Sequence, residues 1–186
     1  MSLGEYTLSF PIWVEFGNGK SERAGEVVDA KGWDSALVVT DQGIRDAGII
    51  DGVVASLEAE GIDYEVYDEV EPNPTGEMVA DTLATLNDGG FDVVIAVGGG
   101  SVIDTAKCAT LLKTNDGDLA DYEVSTPDDV TAGNIENHTH PLVTIPTTAG
   151  TGSEVDYWAV ITAQDRAFKM AIGQPPLYPD GPYLGA

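Results

Sequence analysis

The apolar run FDVVIAV (91–97) ends in three consecutive glycines, Gly98, Gly99 and Gly100, and then passes through Ser101 into an amphipathic segment. Glycine has no Cβ and admits positive φ, so the backbone there can come close to a ligand. Where a strand turns through such residues into a helix, the unpaired N–H groups and the positive end of the helix dipole suit a phosphate. Ser101 is placed to cap that helix. A glycine-rich turn that binds nothing has the same composition, and the spacing is neither G-x-G-x-x-G nor G-x-x-x-x-G-K-[ST]. A second stretch, TIPTTAGTGSEV, also follows an apolar run and sets Thr147, Thr148, Thr151 and Ser153 around Gly150 and Gly152. Two such loops at the ends of two strands of one sheet can close on a nucleotide from both sides. Asp41 directly follows SALVVT. A carboxylate at a strand's carboxyl end can accept the ribose hydroxyls of an adenosine and repel a 2′-phosphate. Asp alone is common in turns, but the three features together point to a dinucleotide.

The elements that must hold these residues alternate along the chain. SERAGEVVDAKG reads as a short helix after an early strand or hairpin over Tyr6–Phe16, and SALVVT (35–40) as a strand buried on both faces. The spacing of Ile44, Ala47, Ile50 and Val54 predicts one helix from Ile44 to Leu57, weakened by Gly48 and Gly52. IDYEVYDEV (62–70) alternates as a strand, and Pro74-Thr75 open a helix that Gly89-Gly90 close. FDVVIAV is the next strand and SVIDTAKCATLLK (101–113) the helix after it. Residues 114–140 form a polar excursion, read as a lid or a partly helical surface segment. PLVTIP (141–146) is a further strand, and YWAVIT (157–162) with AFKMAI (167–172) reads as a hairpin. Strands and helices in alternation predict an α/β fold with a doubly wound, mostly parallel sheet of Rossmann-like type.

The 186 residues suffice for one core, and Lys+Arg number 8 against 32 Asp+Glu, a formal net charge of −24. The acids are scattered rather than gathered into a tail, which predicts a solvated shell over a folded body. Such a charge repels nucleic acid and anionic membranes, so neither is expected as a partner. It also strains the compact state unless salt screens it to about 3 Å, as at 1 M. A halophile's cytoplasm is the expected setting; an acidic surface for a basic partner is the alternative. The lone cysteine, Cys108, excludes an internal disulfide and fits a reducing compartment as a buried thiol. No apolar run approaches the roughly 20 residues of a membrane span, and MSLGEYTLSF has no basic leader.

GGGSVIDTAK (98–107) and PTTAGTGSE (146–154) resemble the two signatures of the iron-containing, group III alcohol dehydrogenases. FGNG (16–19), ALVVTD (36–41) and EPNPT (71–75) match further segments of that family in the same order, so the resemblance runs from Tyr6 to Pro179. It implies a dehydroquinate synthase-like NAD-binding domain over residues 1–180, with an N-terminal hairpin and a departing tail at 181–186. By position it implies that Asp41 meets the adenosine ribose and favours NAD over NADP, and that Asn73 lies beside the cofactor. Gly99, Gly100 and Ser101 would hold the pyrophosphate, with Gly98 shaping the turn. Thr147, Thr148 and Thr151 would line the opposite wall, Lys169 would approach the ribose or phosphate, and Trp158 would border the nicotinamide. Asp104 and Lys107 match the signature's acid and lysine, read as an organising pair facing the site. The resemblance also implies a homodimer formed through the N-terminal hairpin.

Members of that family are about twice as long, with a helical domain that binds a divalent metal, iron or zinc, through one Asp and three His. That metal polarises the oxygen of a small alcohol or aldehyde substrate. None of that domain is in this sequence, so the resemblance assigns this chain no metal ligands and no catalytic residues and predicts little or no turnover alone. Its only histidines, His138 and His140, stand just before a strand, at the end opposite the glycine loops. They are expected to be solvated rather than metal ligands. Two other readings stay open: a stand-alone nucleotide-binding module without catalysis, and part of a glycerol dehydrogenase-like enzyme.

Overall fold

The structure is a computed structural model and describes residues 11–126, 134–163, 168–179 and the backbone of 183–185. Four strands, β2 (Ser35–Val39), β3 (Asp63–Tyr67), β4 (Val93–Gly98) and β5 (Leu142–Pro146), form one parallel sheet in the order β3-β2-β4-β5. The period of two divides their side chains between two cores. Ala36, Val38, Val93, Ile95, Val97, Val143 and Ile145 face one side, against α1 (Ala24–Ala30) and α3 (Asp51–Glu60). Leu37, Val39, Val94, Ala96 and Leu142 face the other, against α4 (Gly76–Gly89) and α5 (Gly100–Thr114). Burial on both faces explains why β2 and β4 are unbroken apolar runs. The sheet is doubly wound, as the alternation predicts.

A third layer lies outside α4 and α5. The strands β6 (Trp158–Ala163) and β7 (Phe168–Gly173) pair antiparallel, and Ala159, Ile161, Met170 and Ile172 pack with Val79, Cys108 and Leu111 of the two helices. The expected hairpin strands are therefore present, separate from the main sheet. Past Thr114, where α5 ends, only Leu119–Tyr122 of the polar excursion is helical among the described residues, as a 3-10 turn; residues 127–133 lie outside the description.

The sequence pattern and the structure part company in three places. The helix expected over Ile44–Leu57 is two, α2 (Gln42–Asp46) and α3, because Gly48 takes φ +69° and breaks the first. The described part of the expected N-terminal hairpin, β1 (Val14–Phe16), pairs in parallel with β8 (Tyr183–Gly185); residues 1–10 lie outside the description. His140 is not fully solvated: its Nε2 is buried without a partner at the start of β5, and burial lowers the imidazole's pKa. His138 is exposed, as expected.

Candidate functional site

In the order β3-β2-β4-β5 the chain winds first one way from β2 and then the other, so the carboxyl ends of β2 and β4 flank a switch point. Crevices outside such points are where open α/β sheets take ligands. A cleft of about 760 Å³ opens there, lined among others by Asp41, Gly99, Gly100, Ser101, Thr147 and Thr148. A second lobe of about 500 Å³ shares Gly100 and Ser101 with it and continues past Asn73, Asp104, Thr151, Trp158 and Lys169. Of the thirteen residues to which the family resemblance gives a role, eleven thus line one continuous groove. Gly98 lies underneath, where a Cβ would come within 2.6 Å of Val102 Cγ2, and Lys107 is not among the lining residues.

The floor of the groove is the N-terminus of α5. Its first i→i−4 bond runs from Ile103 N–H to the Gly99 carbonyl at 3.1 Å. The amides of Gly100, Ser101 and Val102 precede that bond and stand outside the helix's own ladder. Gly99 occupies the N-cap and no side chain caps the helix, so Ser101 does not take the capping role that its sequence position allowed. Gly99 and Gly100 are not needed for positive φ, which neither adopts. They are needed for space: a Cβ on Gly99 would lie 3.3 Å from Thr148 Oγ1, and one on Gly100 3.2 Å from Thr151 Oγ1. The two loops therefore face each other across a gap that the missing side chains leave open. Thr147 N–H donates to the Gly98 carbonyl at 3.0 Å and ties them together. Thr147 Oγ1 is buried without a partner, a polar atom left for a ligand to satisfy.

At one end of the groove Asp41 caps α2, its Oδ1 accepting from Ile44 N–H at 2.9 Å. Asp68, Glu69 and Glu71 line the same lobe and make it strongly anionic. Arg45 offsets part of that charge, with Nη1 2.7 Å from Asp68 Oδ2. These three acids follow β3 as Asp41 follows β2. Their position at a strand's carboxyl end was the available signal, lost in a sequence with 32 acids.

At the other end Asn73 and Lys169 meet, Lys169 Nζ donating to Asn73 Oδ1 at 3.1 Å. Asn73 holds φ 61°, and its neighbour Pro74 accepts from Thr162 N–H at 2.7 Å, which fastens this loop to β6. Asp104 reaches into the lobe. Its Oδ2 accepts from Val160 N–H at 3.0 Å, while Oδ1 is buried without a partner. Burial raises the carboxyl to about 6, opposed by the Val160 amide, Lys107 and the Ser153 hydroxyl. That hydroxyl shares its hydrogen bond with Thr151 Oγ1 at 2.8 Å rather than with Oδ1.

Lys107 does not face the site with Asp104. It is fully buried, and Nζ donates at 2.8 Å to each of the Asp156 carbonyl, Asp156 Oδ1 and the Trp158 carbonyl. Burial lowers its pKa and Asp156 opposes that shift. The lysine is a clamp on the start of β6, which positions Trp158 in the groove wall. Cys108 is buried and its thiol is pushed up by desolvation, as expected of a structural thiol. Among the described residues no group of three or more His, Cys, Asp or Glu is arranged to hold a metal ion. Among them, too, no helix is long and apolar enough to cross a membrane.

Residues 11–181 match the sequence profile of the iron-containing alcohol dehydrogenases. The chain belongs to that family. It is 42% identical over 170 residues to choline dehydrogenase of Bacillus subtilis, covering 91% of this chain and 41% of that protein. With alcohol dehydrogenase 4 of Schizosaccharomyces pombe the identity is 40% over 162 residues, covering 87% of this chain and 37% of the relative. The fold matches the NADH-dependent butanol dehydrogenase A of Thermotoga maritima with a TM-score of 0.84, at 28% identity over 97% of this chain and 44% of that one. A sulfoacetaldehyde reductase from Bifidobacterium kashiwanohense, solved with NAD+, matches with a TM-score of 0.82 at 26% identity, over 98% of this chain and 46% of that one. An archaeal halo-thermophilic alcohol dehydrogenase from a Red Sea brine pool also scores 0.82, at 29% identity over all of this chain and 47% of that one. The chain thus spans less than half the length of these relatives and corresponds to their N-terminal α/β part.

Proposed function

We propose that this chain is the NAD-binding part of an alcohol dehydrogenase that interconverts a small alcohol or diol and its carbonyl compound. The observation that carries the proposal is the single groove in which Asp41, the Gly98–Ser101 turn and the Thr147–Thr151 loop converge at the switch point. The residues fit a dinucleotide: an open glycine cradle, an orphaned threonine hydroxyl and two lobes joined at a helix N-terminus. NAD, when bound, supplies the carbon that accepts or returns a hydride.

The chain's own residues bind and orient. Asp41 accepts the adenosine ribose hydroxyls, and its charge, with Asp68, Glu69 and Glu71, repels a 2′-phosphate and selects NAD over NADP. The amides of Gly100, Ser101 and Val102 and the dipole of α5 hold the pyrophosphate, which this acidic chain needs because it has few cations to offer. Thr147, Thr148 and Thr151 close the cradle from the other side, with Thr147 Oγ1 gaining a partner. Asn73, Asp104, Trp158 and Lys169 line the nicotinamide end. The described residues do not fit a metal ion, so no step here runs through one; the chain alone is expected to bind cofactor without turnover.

Exposed Trp13, Val14 and Phe16 supply apolar surface for the homodimer proposed through the N-terminal segment. The net charge of −24 and the likeness to a brine-pool enzyme support a salt-adapted cytoplasmic protein. Calorimetric titration in molar salt tests the cofactor reading. NADH and ADP-ribose are expected to saturate the folded chain and NADPH to bind far more weakly; a folded chain that takes up neither NADH nor ADP-ribose overturns it.

A further inference from the structure

The groove's second lobe contains a charge whose chemistry the dinucleotide reading does not use. On that reading, with the adenosine against Asp41 and the pyrophosphate at Gly99–Ser101, the nicotinamide occupies the lobe lined by Asn73, Asp104, Trp158 and Lys169. The oxidised ring is a cation and the reduced ring is neutral, so the two cofactor forms differ here by one charge. Asp104 meets that difference with a buried carboxylate whose Oδ1 has no hydrogen-bond partner. Its position is fixed: Oδ2 accepts from Val160 N–H at 3.0 Å, and the side chain stems from the second turn of α5.

The charged and titratable groups around it leave that oxygen unmatched. On α5 itself, Lys107 spends all three protons on Asp156 and Trp158, and Cys108 is a buried thiol held neutral by desolvation. Asp156, ahead of β6, adds a second negative charge to the same lobe. Lys169 on β7 stands across the lobe with its ammonium bonded to Asn73 Oδ1 at 3.1 Å.

We propose that ionised Asp104 makes this lobe selective for the oxidised, cationic nicotinamide, so that the chain sheds a proton when it takes up NAD+ but not when it takes up NADH. Free of ligand, the carboxyl titrates at about 6, raised by burial. Below that pH it is neutral and the two cofactor forms look alike to it. Above it the carboxylate attracts the oxidised ring. By linkage the same attraction pulls the carboxyl's pKa down on NAD+ binding, which expels a proton in the window around pH 6.

One partly screened ion pair changes affinity by about tenfold, the equivalent of ~1.4 kcal/mol. The test is calorimetric titration of the chain with NAD+, NADH and ADP-ribose across pH 4–8, in buffers of different ionisation enthalpy, repeated on Asp104→Asn. The ratio of NAD+ to NADH affinity cancels everything the adenosine and phosphates contribute. It is expected to rise about tenfold with pH in the wild-type chain, with proton release confined to NAD+ near pH 6. In Asp104→Asn it is expected to be flat. If ADP-ribose fails to bind the folded chain, the dinucleotide reading falls and takes this inference with it. If ADP-ribose binds but the wild-type ratio is flat, only the inference is overturned. A pH-dependent ratio that survives in Asp104→Asn overturns it too. The wild-type pH series keeps the test decisive if the variant does not fold.

Discussion

Replacing Lys107 by Met tests the claim that this lysine is a clamp on β6 rather than a member of the binding site. Methionine is unbranched and of similar length, so it fills the buried channel without offering a donor. The Asp156 and Trp158 carbonyls each lose a 2.8 Å hydrogen bond from the ammonium. A buried acceptor left without its partner costs about 1–3 kcal/mol. The Asp156 carboxylate loses a bond of the same length, but its side chain is 35% exposed and water can replace the ammonium. Its share therefore falls near that of a surface pair, at most about 1 kcal/mol. The whole change comes to roughly 2–7 kcal/mol, with the middle near 4. For a chain of this size that lowers the melting temperature by roughly 10 °C, read by circular dichroism in molar salt. Asp156→Asn keeps both carbonyl bonds and is expected to cost no more than about a third as much. A Lys107→Met chain melting within about 3 °C of wild type refutes the clamp.

Gly99→Val puts a branched side chain against Thr148 Oγ1, which a Cβ alone would approach to 3.3 Å. ADP-ribose binding is expected to fall beyond detection while the far-ultraviolet spectrum is kept; normal binding removes the phosphate from the cradle. Asp41→Gly is expected to weaken the preference for NADH over NADPH at least tenfold, and to cost only a few tenths of a kcal/mol through the lost α2 cap, because glycine is itself a tolerated N-cap; an unchanged cofactor ratio takes Asp41 out of the ribose site. The melting temperature is expected to climb as salt rises towards molar concentration, because the screening length shortens from about 10 Å at 0.1 M to about 3 Å at 1 M. A melt as high at low ionic strength counts against the halophilic reading.

The sheet was legible because SALVVT and FDVVIAV must be buried on both faces, and such runs have few other homes. The groove was legible because its residues sit where strands end, a local fact that sequence order records. What escaped reading depends on distant partners or on contrast. The break at Gly48 was hidden because Ile44, Ile50, Val54 and Leu57 pack into one core from both helices, so the apolar period runs on across the break. Lys107, three residues after Asp104, reads as part of a facing pair until its real acceptors are seen, 49 and 51 residues further along the chain. Asp68, Glu69 and Glu71 escaped because, among 32 acids, the signal of their place after β3 does not stand out.

One edge of β6 explains why so much of the family signature lies on α5. Along a strand, alternate residues offer their backbone groups to the same side. The Trp158 carbonyl goes to Lys107, Val160 N–H to Asp104 and Thr162 N–H to the Pro74 carbonyl. Two side chains of α5 and one loop carbonyl thus stand where a neighbouring strand would be. The same helix begins with the amides that face the cleft at Gly100 and Ser101. Its first turn sets one part of the groove and its next turns fix the hairpin wall of the other, so the distance between the lobes is set by a single rigid element. On the proposed reading, in which hydride transfer demands close alignment, that arrangement lets binding at the adenosine end fix the nicotinamide end without any contact between them.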